Sequence, residues 1–241
     1  MFPDDETTDE VLIYLSRALK GTNEDEKFLA LRGDGRNGKG LLMSGMMEGA
    51  LGGGVPDERG YFKALEWYVF TQDPNKKKGT LNEHLHSFQG KRLITVPEIP
   101  NGIVFHTDMF RRMTGRDNVN ARTLYQKSVS FKMGVMVSEM NGTMTFNDST
   151  EDANMKERII GVEMEYTFKD QEDIDEMEKN GEDISKLKRK DRTVKLKYLN
   201  NTEYKCAVMD LLLEYYKKYT MREEGNKIRR TEFIKESTTK L

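Results

Sequence analysis

The sequence predicts an α/β protein with a mostly parallel central sheet flanked by helices. Three observations carry that prediction. Short apolar runs of strand length, in "KFLAL", "KRLITVPE" and "RIIGVEMEYTF", alternate with longer stretches of helical periodicity. A glycine-rich loop, "GDGRNGKG" from Gly33 to Gly40, joins the first strand to the helix that follows. No internal repeat interrupts this order. Parallel strands need long crossovers and antiparallel ones do not, so strand–helix alternation reads as a parallel sheet.

Taken in order, "TTDEVLIYLSRALKG" predicts a helix. Thr7 followed by Glu10 has the spacing of a capping box, Val11, Leu12, Leu15, Ala18 and Leu19 share one face, and Gly21 can close the end. "KFLAL" predicts a buried strand, and "KGLLMSGMMEGAL" after the loop a helix ending at Gly52-Gly53-Gly54. "GYFKALEWYVF" and "LNEHLHSFQG" flank a lysine-rich turn from Pro74 to Gly79, with a strand and a short helix expected on its two sides. "KRLITVPE" is a second strand with a carboxylate directly after its apolar run. "SVSFKMGVMVSEMN" predicts a hairpin arm leading into another buried strand, and "RIIGVEMEYTF" the next. From Asp170 to Asp183 there are eight acidic residues and one lysine; from Lys186 to Lys197, seven basic residues and one aspartate. That reversal suits either an exposed charged linker and helix or an electrostatic clasp. "NTEYKCAVMDLLLEYYKKYT" predicts an amphipathic helix, and the polar stretch beyond Met221 predicts a frayed tail. The organisation expected is an N-terminal helix over 1–26, an ATPase core over 27–169, and a charged linker with a C-terminal helical segment over 170–241.

Composition narrows the function. The 241 residues are 36% hydrophobic and 33% charged, with formal net charge −2. A protein that coats a nucleic-acid duplex carries an excess of Lys and Arg that is missing here, whereas a ring touching one strand with a few residues per subunit needs none. The single cysteine, Cys206, excludes an intramolecular disulfide, and its neighbours predict a buried thiol. His84, His86 and His106 are too scattered for a zinc site. No apolar run is long enough to cross a membrane and no apolar signal sequence opens the chain, so an intracellular, non-membrane protein is expected.

Gly33, Gly38 and Lys39 satisfy G-x-x-x-x-G-K within Gly33, Asp34, Gly35, Arg36, Asn37, Gly38, Lys39 and Gly40. Glycines let the backbone fold so that successive N–H groups point at phosphate oxygens. The helix behind adds its positive end, and Lys39 adds a mobile full charge for the outer phosphates. Strand before and helix after is the context such a loop needs. Gly40 stands where a Ser or Thr hydroxyl ordinarily ligates Mg²⁺. The loop alone therefore leaves three readings open: an ATPase, a nucleotide kinase (whose loops also end Gly-Lys-Gly), or a site that binds nucleotide without hydrolysis.

Downstream, "KRLITVPEIP", "FRRMTGRDNVNARTLYQKSVSFK", "GVMVSEMNG" and "DANMKERIIGVEMEYTF" follow in fixed order. With the loop, these motifs resemble the superfamily 3 helicase domain of viral and phage primase-helicases, of the poxvirus and large-DNA-virus type, from about Asp5 to Tyr216. The resemblance implies an AAA+-like P-loop NTPase fold and an ATP- and Mg²⁺-dependent DNA helicase. Hydrolysis would take place at the subunit interfaces of a homo-hexameric ring. Adenylate kinases are not expected to carry "TGRDNVNAR".

The resemblance assigns roles residue by residue. Glu98 matches the acid that polarises the attacking water, and it would reach the metal only through water; Pro97 stands where a first acid is common. Asn141, ending an apolar strand, matches the sensor that orients that water. Arg158, with Lys156 behind it, matches the arginine finger that reaches a neighbour's site. Six basic residues and one acidic residue lie between Arg111 and Lys132. There the resemblance implies a pore-lining hairpin, and Arg122, Lys127 and Lys132, with Tyr125, are the candidates for contact with single-stranded DNA or a fork. The family places a primase and a small collar before this domain. Neither is read here, which suits a fragment, a split protein or a minimal open reading frame. The partners the resemblance implies are replication proteins, with a primase on a separate chain as one arrangement, in host cytoplasm or a viral replication compartment.

Overall fold

The computed structural model describes residues 1–52, 60–74, 84–122, 127–148, 152–195, 201–222 and 227–241. In chain order the elements are α1 (Asp5–Ser16), β1 (Phe28–Arg32), a π-helical segment (Leu41–Met47) running into α2 (Glu48–Leu51), β2 (Phe62–Ala64) and β3 (Leu93–Ile99). There follow β4 (Val104–Phe105), α3 (Thr107–Thr114), β5 (Val119–Ala121), β6 (Val129–Phe131), β7 (Val135–Met140) and β8 (Thr145–Phe146). The chain closes with α4 (Asp152–Arg158), β9 (Ile159–Glu163), β10 (Thr167–Lys169), α5 (Gln171–Lys179), β11 (Leu187–Arg189), α6 (Thr202–Thr220) and α7 (Glu232–Thr239). Gly53, Gly54 and the turn after Pro74 lie outside the described residues.

Five strands form the central sheet in the order β2-β3-β7-β1-β9, every neighbouring pair parallel. The expected α/β class with a parallel sheet between helices is what the chain adopts. Side-chain alternation sorts each strand into two cores. Phe28, Ala30, Ile94, Val96, Met136, Met140 and Ile159 face a cluster with Phe70, Phe105 and Phe110. Leu29, Leu31, Leu93, Val135, Val137, Ile160 and Val162 face the side covered by α1, α2 and α6, with Tyr14, Leu15, Met43 and Leu212. Burial on both faces explains why the strand sequences read as continuous apolar runs.

Several local expectations are corrected. Asp4, not Thr7, caps α1: its side chain accepts from the Thr7 backbone N–H at 2.6 Å. Glu10 is buried and spent elsewhere, on the Arg222 guanidinium and the Arg229 N–H at 2.9 Å. Gly21, at φ +83°, does close the following turn. Cys206 is exposed, because the buried face of α6 is Val208, Leu212, Tyr215 and Tyr219. The described end of the polar tail is packed: α7 lies along β9, burying Ile234, Thr238 and Leu241. The approach is close. The Gly161 N–H donates to Thr238 Oγ1 at 2.9 Å, and a Cβ at Gly161 would stand 2.7 Å from Thr238 Cα. Only glycine permits that approach, and the helix covers what is otherwise an open sheet edge.

The charge reversal forms a folded unit. β10 and β11 pair in parallel with the exposed, acidic α5 between them. Asp170 meets Arg192 at 2.7 Å and Glu165 meets Lys186 at 2.9 Å. The clasp therefore closes within one segment, and the helix it spans is solvated.

Candidate active site

The site is built at the carboxyl end of the parallel strands, where β1, β3 and β7 release their loops. β1 ends at Arg32, and the Gly33 N–H continues the ladder by donating to the Met140 carbonyl at 3.1 Å. The chain then turns through three positive φ angles: Gly35 at 101°, Arg36 at 52° and Gly38 at 92°. Such a run concentrates backbone N–H groups in a concavity suited to an anion. Arg36 accepts a conformation that costs a β-carbon residue more than glycine. Two tethers hold the loop. The Asn37 amide donates to the carbonyls of Met164 at 2.8 Å and Tyr166 at 3.3 Å, and the Phe168 N–H donates to the Arg36 carbonyl at 2.9 Å.

Lys39 lies folded into this cradle. Its ammonium donates to the Gly33 carbonyl, to Asn37 Oδ1 at 3.5 Å and to Asn141 Oδ1 at 3.1 Å. Burial lowers its pKa, against the pull of Glu139 and Asp34. Lys39 and Asn141, 102 positions apart in sequence, thus touch directly. Asn141 follows the last residue of β7, which the register sets beside the last residue of β1: Arg32 pairs with Met140.

Glu98 stands at the same mouth. The β3–β7 register is regular from Leu93 to Val96 and then slips before Ile99. Pro97 and Glu98 fill the slip as a bulge, and Glu98 takes φ +50°, unusual for a residue with a side chain. Proline cannot donate to the ladder, so a bulge near the strand end is where it fits. The bulge turns Glu98 outward, exposed, into the cleft that Lys39 and Asn141 line. That cleft measures about 1360 Å³ and is closed on its far side by Phe168, Asp170, Arg189 and Arg192 of the β10–α5–β11 unit.

One group in the cleft is not among the sequence-based candidates: Glu139. It sits in β7, with 9% of its surface exposed, two positions before Asn141 and therefore on the same face of the sheet. Thr95 donates to its Oε1 at 3.3 Å. Desolvation raises its pKa; the Thr95 bond and Lys39 oppose the rise, and the Glu98 charge adds to it. The legible signal is an acid inside the apolar run "GVMVSEMN".

The remaining predicted residues lie elsewhere. Arg158 ends α4 immediately before β9, at the amino edge of the sheet. Five strand residues separate that edge from the phosphate loop, about 16 Å, so Arg158 does not serve the loop of its own chain. It pairs with Glu26 at 2.8 Å, as Arg116 does at 3.1 Å, and its Nη1 is buried without a partner among the described residues. Arg122, directly after β5, and Lys127, two residues before β6, are exposed beside the antiparallel β5–β6 pair, in which Ala121 pairs with Val129. Lys132 is exposed at its foot. Tyr125 lies outside the described residues.

A five-stranded parallel sheet with this loop between its first strand and the next helix is the phosphate-loop NTPase class of α/β fold. The chain is 25% identical over 217 residues, 90% of its length, to a protein of Acanthamoeba polyphaga mimivirus named "Putative helicase", of which it spans 21%. It also resembles two solved structures of the C-terminal region of NrS-1, both of the apo A form. They are 12% and 13% identical, cover 98% and 99% of this chain and 47% and 48% of their own, and have TM-scores of 0.49 and 0.46. No family model matches. No helix among the described residues is long and apolar enough to cross a membrane.

Proposed function

We propose that this chain is the NTP-hydrolysing motor domain of a viral-type DNA helicase, working as a ring in which each nucleotide lies between two subunits. The observation that carries the reading is the meeting of Lys39, Asn141 and Glu98, from three separate segments, at the mouth of one phosphate loop. In this reading the loop N–H groups hold the phosphates. Lys39 exchanges its neutral oxygen partners for the outer phosphate oxygens, which is an ordinary rearrangement for a flexible ammonium. Glu98, exposed at the rim, takes a proton from the attacking water, and the Asn141 amide fixes that water's orientation. Arg158 of one subunit neutralises charge on the transferring phosphoryl in the next. Its place at the opposite edge of the sheet suits a group that acts in trans. The β5–β6 hairpin carries exposed cations for one DNA strand, whose phosphates they would neutralise.

Mg²⁺ prefers one or two carboxylates completed by phosphate oxygens and waters rather than an all-protein cage. The cleft offers the carboxylate of Glu139 directly and that of Glu98 through water, and no group of three His, Cys, Asp or Glu able to hold a metal occurs among the described residues. When bound, the ion would neutralise phosphate charge and fix the nucleotide's orientation.

The test is ATP turnover with and without single-stranded DNA, together with a mass measurement of the assembly. Turnover stimulated by DNA in a particle of several copies supports the reading; absence of turnover in an assembled particle overturns it. Gly40 and Pro97 favour a second reading, a DNA-associated module that binds nucleotide and does not hydrolyse it. Tight nucleotide binding with no turnover, and turnover gained by Gly40→Ser, would support that one.

A further inference from the structure

We infer that Glu139 replaces both missing metal-side groups of the phosphate loop, the hydroxyl absent at Gly40 and the acid absent at Pro97. It does so by presenting a buried carboxylate from the neighbouring strand to a divalent cation bound with the nucleotide. The inference rests on the nucleotide-binding reading of the loop.

Three features of position support it. An ideal Cβ built on Gly40 would lie 3.8 Å from Glu139 Oε2, the nearest atom outside the adjoining backbone among the described residues. A hydroxyl at position 40 would extend one bond further, into the space this carboxylate already borders. Glu139 therefore borders the space into which that hydroxyl would point. Second, the two carboxylate oxygens are differentiated. Thr95, itself 2% exposed, donates to Oε1, which fixes the carboxylate plane. Oε2 is left toward Gly40 and the cleft. Metal-ligating carboxylates are commonly oriented by such a neighbouring donor. Third, the register makes the placement rigid. Glu139 pairs with Leu31 of β1, two residues before the loop begins, on a strand flanked on both sides by the sheet.

The alternatives for a carboxylate here are weaker. A structural role would give it an ion pair or several donors, because a buried charge without them is expensive. Among the described residues it has one hydrogen bond, from a neutral hydroxyl. Lys39 turns its ammonium to Gly33, Asn37 and Asn141 instead. Glu98 is less suited, since the bulge turns it outward and leaves it exposed at the rim, whereas Glu139 is buried beside Gly40.

The test measures nucleotide affinity rather than turnover. A fluorescent ATP analogue is titrated into the full chain in excess Mg²⁺ and again in EDTA, for the wild type and for Glu139→Gln. The wild type is expected to bind at least about tenfold tighter with Mg²⁺, the scale on which metal-shell substitutions act. Glu139→Gln should lose most of that gain. In EDTA it should bind as well as the wild type or better, because a negative charge beside the phosphates has gone. That EDTA value also shows that the variant is folded. Glu139→Gln with Gly40→Ser should recover Mg²⁺ dependence by restoring the hydroxyl. Equal Mg²⁺ dependence in wild type and Glu139→Gln overturns the assignment and leaves the nucleotide site standing. No binding by the wild type in either buffer overturns the nucleotide site itself, and the assignment with it.

Discussion

The side chains around the phosphate loop, at the carboxyl end of the central sheet, and the arginines at its amino end are partnered in opposite ways. At the carboxyl end Lys39 bonds only neutral oxygens among the described residues, Glu139 has only the Thr95 hydroxyl, and Glu98 is held outward by a bulge. At the amino end Glu26 collects Arg116 and Arg158, Arg17 meets Asp25 at 2.9 Å, and Lys27 and Arg230 bond the carbonyl of Glu157. Around the phosphate loop these three side chains have no ion pair among the described residues, which is the condition of a site awaiting a ligand. At the amino end the three arginines Arg17, Arg116 and Arg158 each have a carboxylate partner within the chain. If the finger assignment is right, Arg158 must leave Glu26 when a neighbouring subunit docks, so the settled end is the one that must rearrange.

The sharpest way to break this comparison is to remove the charge that the ligand end exists to place. Lys39→Ala should lower ATP turnover by two to three orders of magnitude, about the scale set by deleting a single transition-state donor. Turnover within a few-fold of wild type would remove Lys39 from the site. Arg158→Ala should be as damaging although it is about 16 Å away in its own chain, because fingers are worth about 10³–10⁵ in rate. The distinguishing experiment mixes Arg158→Ala with Glu98→Gln. Both parents should be inactive, but random head-to-tail pairing in the proposed ring would leave roughly a quarter of interfaces with both groups intact. Recovered turnover in the mixture places Arg158 in trans; a dead mixture assigns the finger to another arginine, with Arg116 the first to try.

How far the sequence discloses this molecule differs between the same two ends. Local signals are strong where function imposes residue types: the glycine run, the lysine, and the asparagine after an apolar strand can each be read where they stand. Their meeting depends on β1 and β7 being neighbours, which motif order implies and the register displays. Glu139 escapes because its significance is positional. An acid in an apolar strand reads as noise until Gly40 is found beside it. The capping of α1 and the packed C-terminal tail are illegible for a related reason. Asp4 and Thr7 are both competent caps, and local preference cannot rank them. The α7 tail is polar by composition, yet Gly161 opens a place for it on β9 that only the folded sheet defines.

The hairpin offers an effect of intermediate size, independent of the nucleotide. Arg122 and Lys127 are exposed beside its strands, so their contribution to DNA affinity should be electrostatic and salt-sensitive. Lys127→Ala should weaken binding to single-stranded DNA of any sequence. The slope of log K against log salt should become shallower by about 0.7 for each phosphate that is no longer neutralised. ATP binding measured without DNA should not change. An unaltered slope in Lys127→Ala and Arg122→Ala alike would move the DNA-binding surface off this hairpin.

The smallest expected effect is the one that compares the two ends directly, in the stability of the ligand-free chain. Glu139 has a folded-state pKa raised by burial. A raised carboxylate binds its proton more tightly folded than unfolded, so as pH climbs through the unfolded value the chain loses stability, and the loss is complete above the folded value. Glu139→Gln should therefore match the wild type in acid and melt a few degrees higher at neutral pH. About 1 kcal/mol corresponds to roughly 2–4 °C in a chain of this size. Lys39→Met should act in the same direction, since burial lowers the Lys39 pKa and its charged form is the one disfavoured at neutral pH. Glu26→Gln should do the reverse and lower the melting temperature at neutral pH. It deprives Arg158 of its ion pair while Nη1 already lacks a partner, a loss of up to about 1 kcal/mol for a pair still partly open to water. Opposite signs for Glu139→Gln and Glu26→Gln at neutral pH are what a ligand-awaiting end and a settled end require. A fall in melting temperature for Glu139→Gln would mean that its carboxylate is a structural acceptor for Thr95, and the contrast between the two ends would collapse.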